Sequence, residues 1–260
     1  MLAKLMKYEW KSTWKLLLPM NLLIIVMTLL ACITVRIDVF DTDNDAVVFS
    51  AMMIIITYAA SMFVVMIGTA IFLIYRFYTS TYGDQGYLLH TLPVDKHHII
   101  IAKAAVSSAW VMFSSFLMYV SVVFLFNEKD DIFSDFYSSM EVIVEQVGAN
   151  KVTFFTVIMT LISIIVSIFA RVLKVTACIS LGQLSSNHKL FMAFAFYVAF
   201  YFVQQIVNGF YYAFLGVVNE ITGNWYYGTT WEYTLLTGLI YSVVFYILTW
   251  YVMEKKLNLD

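Results

Sequence analysis

AVVFSAMMIIITYAASMFVVMIGTAIFLIY, residues 46–75, runs for 30 positions without a charged side chain. An α-helix rises 1.5 Å per residue, so about 20 apolar residues cross a ~30 Å hydrocarbon core. Five further uncharged intervals meet that need: residues 16–35, 104–127, 152–170, 190–219 and 233–253. Spanning strands would show alternation of apolar and polar residues, and none appears. The chain therefore reads as all-α, a polytopic membrane protein with six transmembrane helices. The spans are drawn at about 16–35, 47–75, 99–126, 152–174, 190–215 and 233–253, in a single transmembrane domain over residues 1–260. The two 30-residue intervals exceed a single crossing. They must tilt, project or turn back.

Composition supports the bilayer as solvent. Of 260 residues, 62% are hydrophobic and only 12% are charged. A soluble domain carries about a quarter charged residues. The mean hydropathy is +0.84. A net charge of −2 gives no general attraction to nucleic acid. Cys32 and Cys178 fall near opposite faces of this topology, so no disulfide is expected. The stretch LLAC, residues 29–32, follows too long a basic region for a cleaved signal and reads as part of an uncleaved first span.

Basic residues set the orientation. With the N-terminus in the cytoplasm, 12 of the 15 lysines and arginines fall in inner segments, and only Arg36, Lys129 and Lys151 fall outside. The positive-inside rule then places both termini in the cytoplasm, as in a multi-pass protein of the plasma membrane.

Three segments lie outside the spans. Residues 1–15 place Lys4, Lys7, Lys11 and Lys15 on one arc, with Leu2, Met6 and Trp10 opposite. This phasing predicts an interfacial helix, beside the simpler reading of a topogenic charge cluster. Residues 130–147 carry an apolar stripe at helical spacing and predict a short outer helix ended by Gly148. Residues 210–233 are dense in aromatics. They read either as an interfacial belt or as a re-entrant segment turning at Gly209, Gly216, Gly223 and Gly228.

Between their flanking basic residues the six uncharged intervals offer no Asp, Glu, Lys, Arg or His at mid-membrane, which argues against a secondary transporter, a proton pump or an intramembrane protease. No GxxxxGK[ST] motif is present, so ATP energy would come from another polypeptide. The four histidines, His90, His97, His98 and His188, have poor spacing for a metal site. Gln204, Gln205 and Asn208 cluster in the fifth span. They suit either interhelical hydrogen bonds or a translocation path. Asn21 is expected to offset the backbone bond removed by Pro19.

Residues 82–98, YGDQGYLLHTLPVDKHH, break the apolar pattern. Asp84 caps a short helix, Tyr87, Leu88 and Leu92 form its apolar edge, and Pro93 ends it. It reads as a cytoplasmic knob that docks a partner or packs on its own bundle.

RFYTSTYGDQGYLLHTLPVDKHHIIIAKAAVSSAW (76–110) resembles the region between the second and third spans of small type-2 ABC exporter permeases. MLAKLMKYEWKSTWKLLLP (1–19) is similar to their N-terminal interfacial helix, and ACISLGQLSSNHKL (177–190) to their loop before the fifth span. The resemblance implies a coupling helix that contacts an ATP-binding cassette subunit through Gly83, Asp84, Gly86, Tyr87, Leu88, Leu89 and Pro93. It implies an outer gate over residues 210–232, with Gly216, Gly223, Trp225 and Tyr226 as candidates. The implied function is the permease subunit of an ATP-driven exporter, not itself an enzyme. No cofactor is expected in this chain, with ATP and Mg in the partner subunit. The partners would be that subunit, a second permease subunit and the lipid bilayer. The Met- and aromatic-rich spans favour a hydrophobic or amphipathic cargo: a peptide (an antimicrobial one included), a drug or a lipid. A non-transporting membrane binding protein, such as an immunity or assembly factor, is the alternative.

Overall fold

The computed structural model describes residues 2–36, 45–83, 86, 95–126, 154–185, 188–222 and 231–255. These form six helices: α1 (Leu2–Arg36), α2 (Asp45–Thr81), α3 (Lys96–Phe126), α4 (Phe154–Gly182), α5 (Lys189–Thr222) and α6 (Trp231–Lys255). No strand occurs among the described residues. All six helices are long and apolar enough to cross a membrane, which makes the chain a multi-pass membrane protein. The expected outer helix over residues 130–147 lies outside the described residues.

The helices outrun the uncharged intervals. The 37 residues of α2 extend about 55 Å, nearly twice the hydrocarbon thickness. Once begun, a helix satisfies its own backbone polar groups, so flanking charged residues do not end it. Arg76, Lys103 and Arg171, which bounded the intervals, and Lys174 beyond them all sit inside helices.

Residues 2–15 are helical, and no break separates them from the first span, because α1 is unbroken from Leu2 to Arg36. Trp10 stacks on Trp110 of α3 at 4.9 Å, and Trp110 Nε1 donates to Thr13 Oγ1 at 2.9 Å. These contacts hold the basic segment on α3, while its four lysines stay exposed. Pro19 does not end the helix. It leaves the Lys15 carbonyl without its usual donor. Asn21 Nδ2 donates instead to the Leu17 carbonyl, at 2.8 Å, so it does not replace the lost bond as expected.

The described residues fall into two compact units, one from the ranges 3–76 and 105–157 and the other from the ranges 77–104 and 158–260. In the first, Leu17, Leu73, Val106 and Trp110 form a buried cluster packed by Met6, Met20, Phe72 and Val111. A hydroxyl chain ties α1, α2 and α3 together. Tyr58 Oη and Ser121 Oγ are 2.7 Å apart, and Ser121 Oγ and Thr28 Oγ1 are 2.6 Å apart. Thr28 Oγ1 donates to the Ile24 carbonyl at 2.7 Å. A carbonyl only accepts, and each hydroxyl has one proton. The order is therefore Tyr58 to Ser121 to Thr28 to Ile24. An ion pair, Arg76–Glu9 at 3.4 Å, also belongs to this unit.

The second unit contains α4, α5, α6 and the adjoining ends of α2 and α3. α4 and α5 meet closely at Gly182, where a Cβ would lie 2.6 Å from the Lys189 carbonyl oxygen. His188, with φ 59°, takes the left-handed conformation just before α5. Lys96 Nζ donates to the Met253 carbonyl at 2.9 Å, and His97 stacks on Trp250 at 5.4 Å. Neighbouring His97 and His98 face different partners: His97 bonds Tyr246, whereas His98 lies 3.7 Å from Asp95.

Candidate functional site

Within the second unit, α4, α5 and α6 each turn a polar stripe toward one cavity of about 610 Å³. α4 contributes Ser167, Ala170, Arg171 and Lys174, spaced as one helical face. α5 contributes Tyr197, Tyr201, Gln204, Gln205, Asn208 and Tyr212. α6 contributes Tyr233, Thr234, Thr237, Gly238 and Tyr241. At Gly238 a Cβ would reach Val166 Cγ1 at 3.0 Å, so a side chain would press against α4 beside the cavity. The sequence-predicted path residues Gln204, Gln205 and Asn208 are thus brought together.

Two cations join them. Lys174 is only 6% exposed. Its Nζ donates to Gln204 Oε1 at 2.9 Å and sits 4.7 Å from the centre of the Tyr197 ring. Both partners stabilise an ammonium, but neither carries a negative charge. Arg171 lines the same cavity from an exposed position one turn away. No aspartate or glutamate is among the described residues lining it. The ion pairs among the described residues, Arg76–Glu9 and Asp95–His98, involve neither cation.

Tyrosines dominate elsewhere in the cavity. Tyr233 Oη donates to Asn208 Oδ1 at 2.7 Å, and the Tyr233 ring stacks on Tyr211 at 3.6 Å. Tyr241 Oη is buried without a hydrogen-bond partner among the described residues. The site can therefore offer positive charge, amide groups, hydroxyl donors and aromatic walls, a set suited to binding.

Sequence reasoning did not assign Lys174 and Arg171 to this site. The apolar run places them at the inner end of the fourth span, but α4 continues eight residues beyond Lys174, to Gly182. The signal available was the spacing of Ser167, Ala170, Arg171 and Lys174, which continues one helical face past the last uncharged residue.

The second expected site begins where α2 ends. The Tyr82 and Gly83 amides both donate to the Tyr78 carbonyl, at 2.8 and 3.2 Å, and the Gly86 amide donates to the Gly83 carbonyl at 2.7 Å. This turn requires glycine. A Cβ at Gly83 would lie 2.8 Å from the Thr79 carbonyl oxygen, and one at Gly86 would collide with the Thr81 carbonyl. Tyr82 Oη donates to Ser180 Oγ of α4 at 2.6 Å. Lys103 donates to Ser80 alongside it. Asp84, Tyr87, Leu88, Leu89 and Pro93 lie outside the described residues.

Of the expected outer gate, Gly223, Trp225 and Tyr226 lie outside the described residues. The re-entrant reading is corrected for residues 210–222, which continue α5 as helix. Gly209 and Gly216 have open space around them and do not break it. A glycine costs a helix only about 1 kcal/mol, far less than exposing unpaired backbone groups to lipid. No family model, curated protein or solved structure matches this chain.

Proposed function

We propose that the chain is the membrane-spanning subunit of an ATP-driven exporter, with both termini in the cytoplasm and residues 82–98 docking an ATP-binding cassette subunit. Two such permease subunits, alike or different, pair with two ATP-binding subunits. The observation that carries this reading is the attachment of one helix to both candidate sites. α4 accepts the Tyr82 bond at Ser180 and presents Lys174 to the cavity. The two positions are about 9 Å apart along one helix. A push on the docking segment would therefore act directly on a wall of the cavity, as rigid-body coupling requires. The amide, hydroxyl and aromatic lining suits an amphipathic cargo.

The test is co-purification with an ATP-binding cassette subunit encoded beside this chain, followed by nucleotide hydrolysis in proteoliposomes. Tyr87→Ala with Leu88→Ala should abolish pairing and the stimulation of hydrolysis. Stable pairing that ignores those substitutions would sink the docking role.

The cations favour a second reading, a carrier that moves an anion down its own gradient. Such a carrier would show anion exchange in vesicles that contain this chain alone and no nucleotide.

A further inference from the structure

We propose that the cavity among α4, α5 and α6 binds a lipid-like amphiphile with an anionic headgroup, phosphate or carboxylate, whose counter-charges are Lys174 and Arg171.

Among the described residues the charge of Lys174 is uncompensated. Lys174 is almost completely buried, within an apolar helix, and its polar partner is a neutral amide. Arg171 adds a second positive charge on the same wall, and no carboxylate lines the cavity among the described residues. A cation within a membrane is costly without an opposing charge. Here a bound anion would supply that charge, and charge-assisted bonds to phosphate or carboxylate are the strong ones. Tyr241 Oη is a second, independent sign. It is a buried hydroxyl on the cavity wall that lacks a partner among the described residues and would donate to a ligand oxygen.

The shape points to an amphiphile. The lining on α5 runs from Tyr197 to Tyr212, about 22 Å of helix. Beyond the cations the wall mixes the rings of Tyr201, Tyr212 and Tyr233 with the polar groups of Gln205, Asn208 and Thr237, so aromatic faces can flank an alkyl chain while hydroxyls and amides face a headgroup. As a statement about cargo the inference rests on the exporter reading; as a statement about binding it does not.

The experiment uses the full chain, purified alone in neutral maltoside micelles and titrated by calorimetry. The probes are dodecyl phosphate, dodecanoate, inorganic phosphate and dodecyltrimethylammonium. At least one of the two anionic amphiphiles should bind saturably. Arg171→Gln and Lys174→Gln should each weaken that binding about tenfold or more, whereas Lys174→Arg should retain it. If Lys174→Gln does not give a monodisperse protein, Arg171→Gln, at an exposed side chain, decides alone.

Flat titrations with both anionic amphiphiles overturn the inference. So does equal binding of the cationic amphiphile, or unchanged binding by the glutamine variants. Equal affinity for inorganic phosphate also overturns it, since the site would then hold a free anion. None of these results touches the exporter reading, which is tested by partner binding.

Discussion

The Tyr82 hydroxyl donates to Ser180 Oγ at 2.6 Å, and Ser180 Oγ in turn donates to the Thr176 carbonyl at 2.8 Å. Ser180 is fully buried, and the two partners are 98 positions apart in the chain. The end of α2 is thus fastened to α4 by a directed relay. Tyr82→Phe removes one bond and leaves Ser180 still bonded to Thr176. The expected loss is about 1 kcal/mol, read as a lower unfolding temperature in detergent. Under the proposed exporter role, the same variant should uncouple nucleotide hydrolysis from cargo movement while retaining partner binding.

The same phenol predicts a pH effect. Burial raises the Tyr82 pKa above its ordinary value of 10.0, and the Ser180 bond opposes that shift only in part. A raised folded-state pKa means that the folded chain holds the proton more tightly than the unfolded chain. Its contribution is complete below about pH 10 and is lost as pH rises through the folded value. Unfolding measured from pH 9 to 11 should show a steeper loss of stability in the wild type than in Tyr82→Phe. Parallel curves would contradict the buried, proton-retaining phenol.

Two glycines should behave in opposite ways. Gly86→Ala drives a methyl group into the Thr81 carbonyl, so the turn after α2 must open. We expect a loss of about 1–3 kcal/mol, or failure to accumulate in the membrane. Gly216→Ala meets open space inside α5 and should be neutral or stabilising by about 0.5–1 kcal/mol. Thermal unfolding of the two variants side by side checks this.

Ser121 is the centre of the hydroxyl chain linking α1, α2 and α3. Ser121→Ala removes two interhelical bonds, whereas Tyr58→Phe removes one. Hydrogen bonds between membrane helices contribute about 0.6–2 kcal/mol each, so Ser121→Ala should cost roughly twice as much as Tyr58→Phe. Steric trapping or unfolding in mixed micelles would read the ratio. Equal losses would mean that Tyr58 donates to Ser121 without the onward bond mattering.

The six helices were legible because hydrocarbon demands a long apolar run, and such runs stand out in one dimension. Gln204, Gln205 and Asn208 were legible for the same reason, since amides are conspicuous in such a run. The helix ends were less legible. The end of the apolar run at Ala170 put Arg171 and Lys174 at the edge of the fourth span, although a buried Nζ can be accommodated by Gln204 and the Tyr197 ring. Those partners come from another helix, and sequence spacing does not reveal them. The bond between Tyr82 and Ser180 is hidden likewise. The glycines of α5 misled because a turn residue in water is tolerated within a helix in lipid, where backbone groups have no other partner. The packing of the N-terminal segment on Trp110 was hidden, because its amphipathic phasing suits a headgroup layer equally well.

The buried ammonium of Lys174 has an electrical consequence. A charge fixed within a bilayer samples part of the transmembrane voltage, worth about 2.3 kcal/mol per 100 mV for a full traverse. Any displacement of α4 along the membrane normal would carry that ammonium and the neighbouring guanidinium through a fraction of the field. The protein would then show a gating current, and an anion seated between them would cancel part of it.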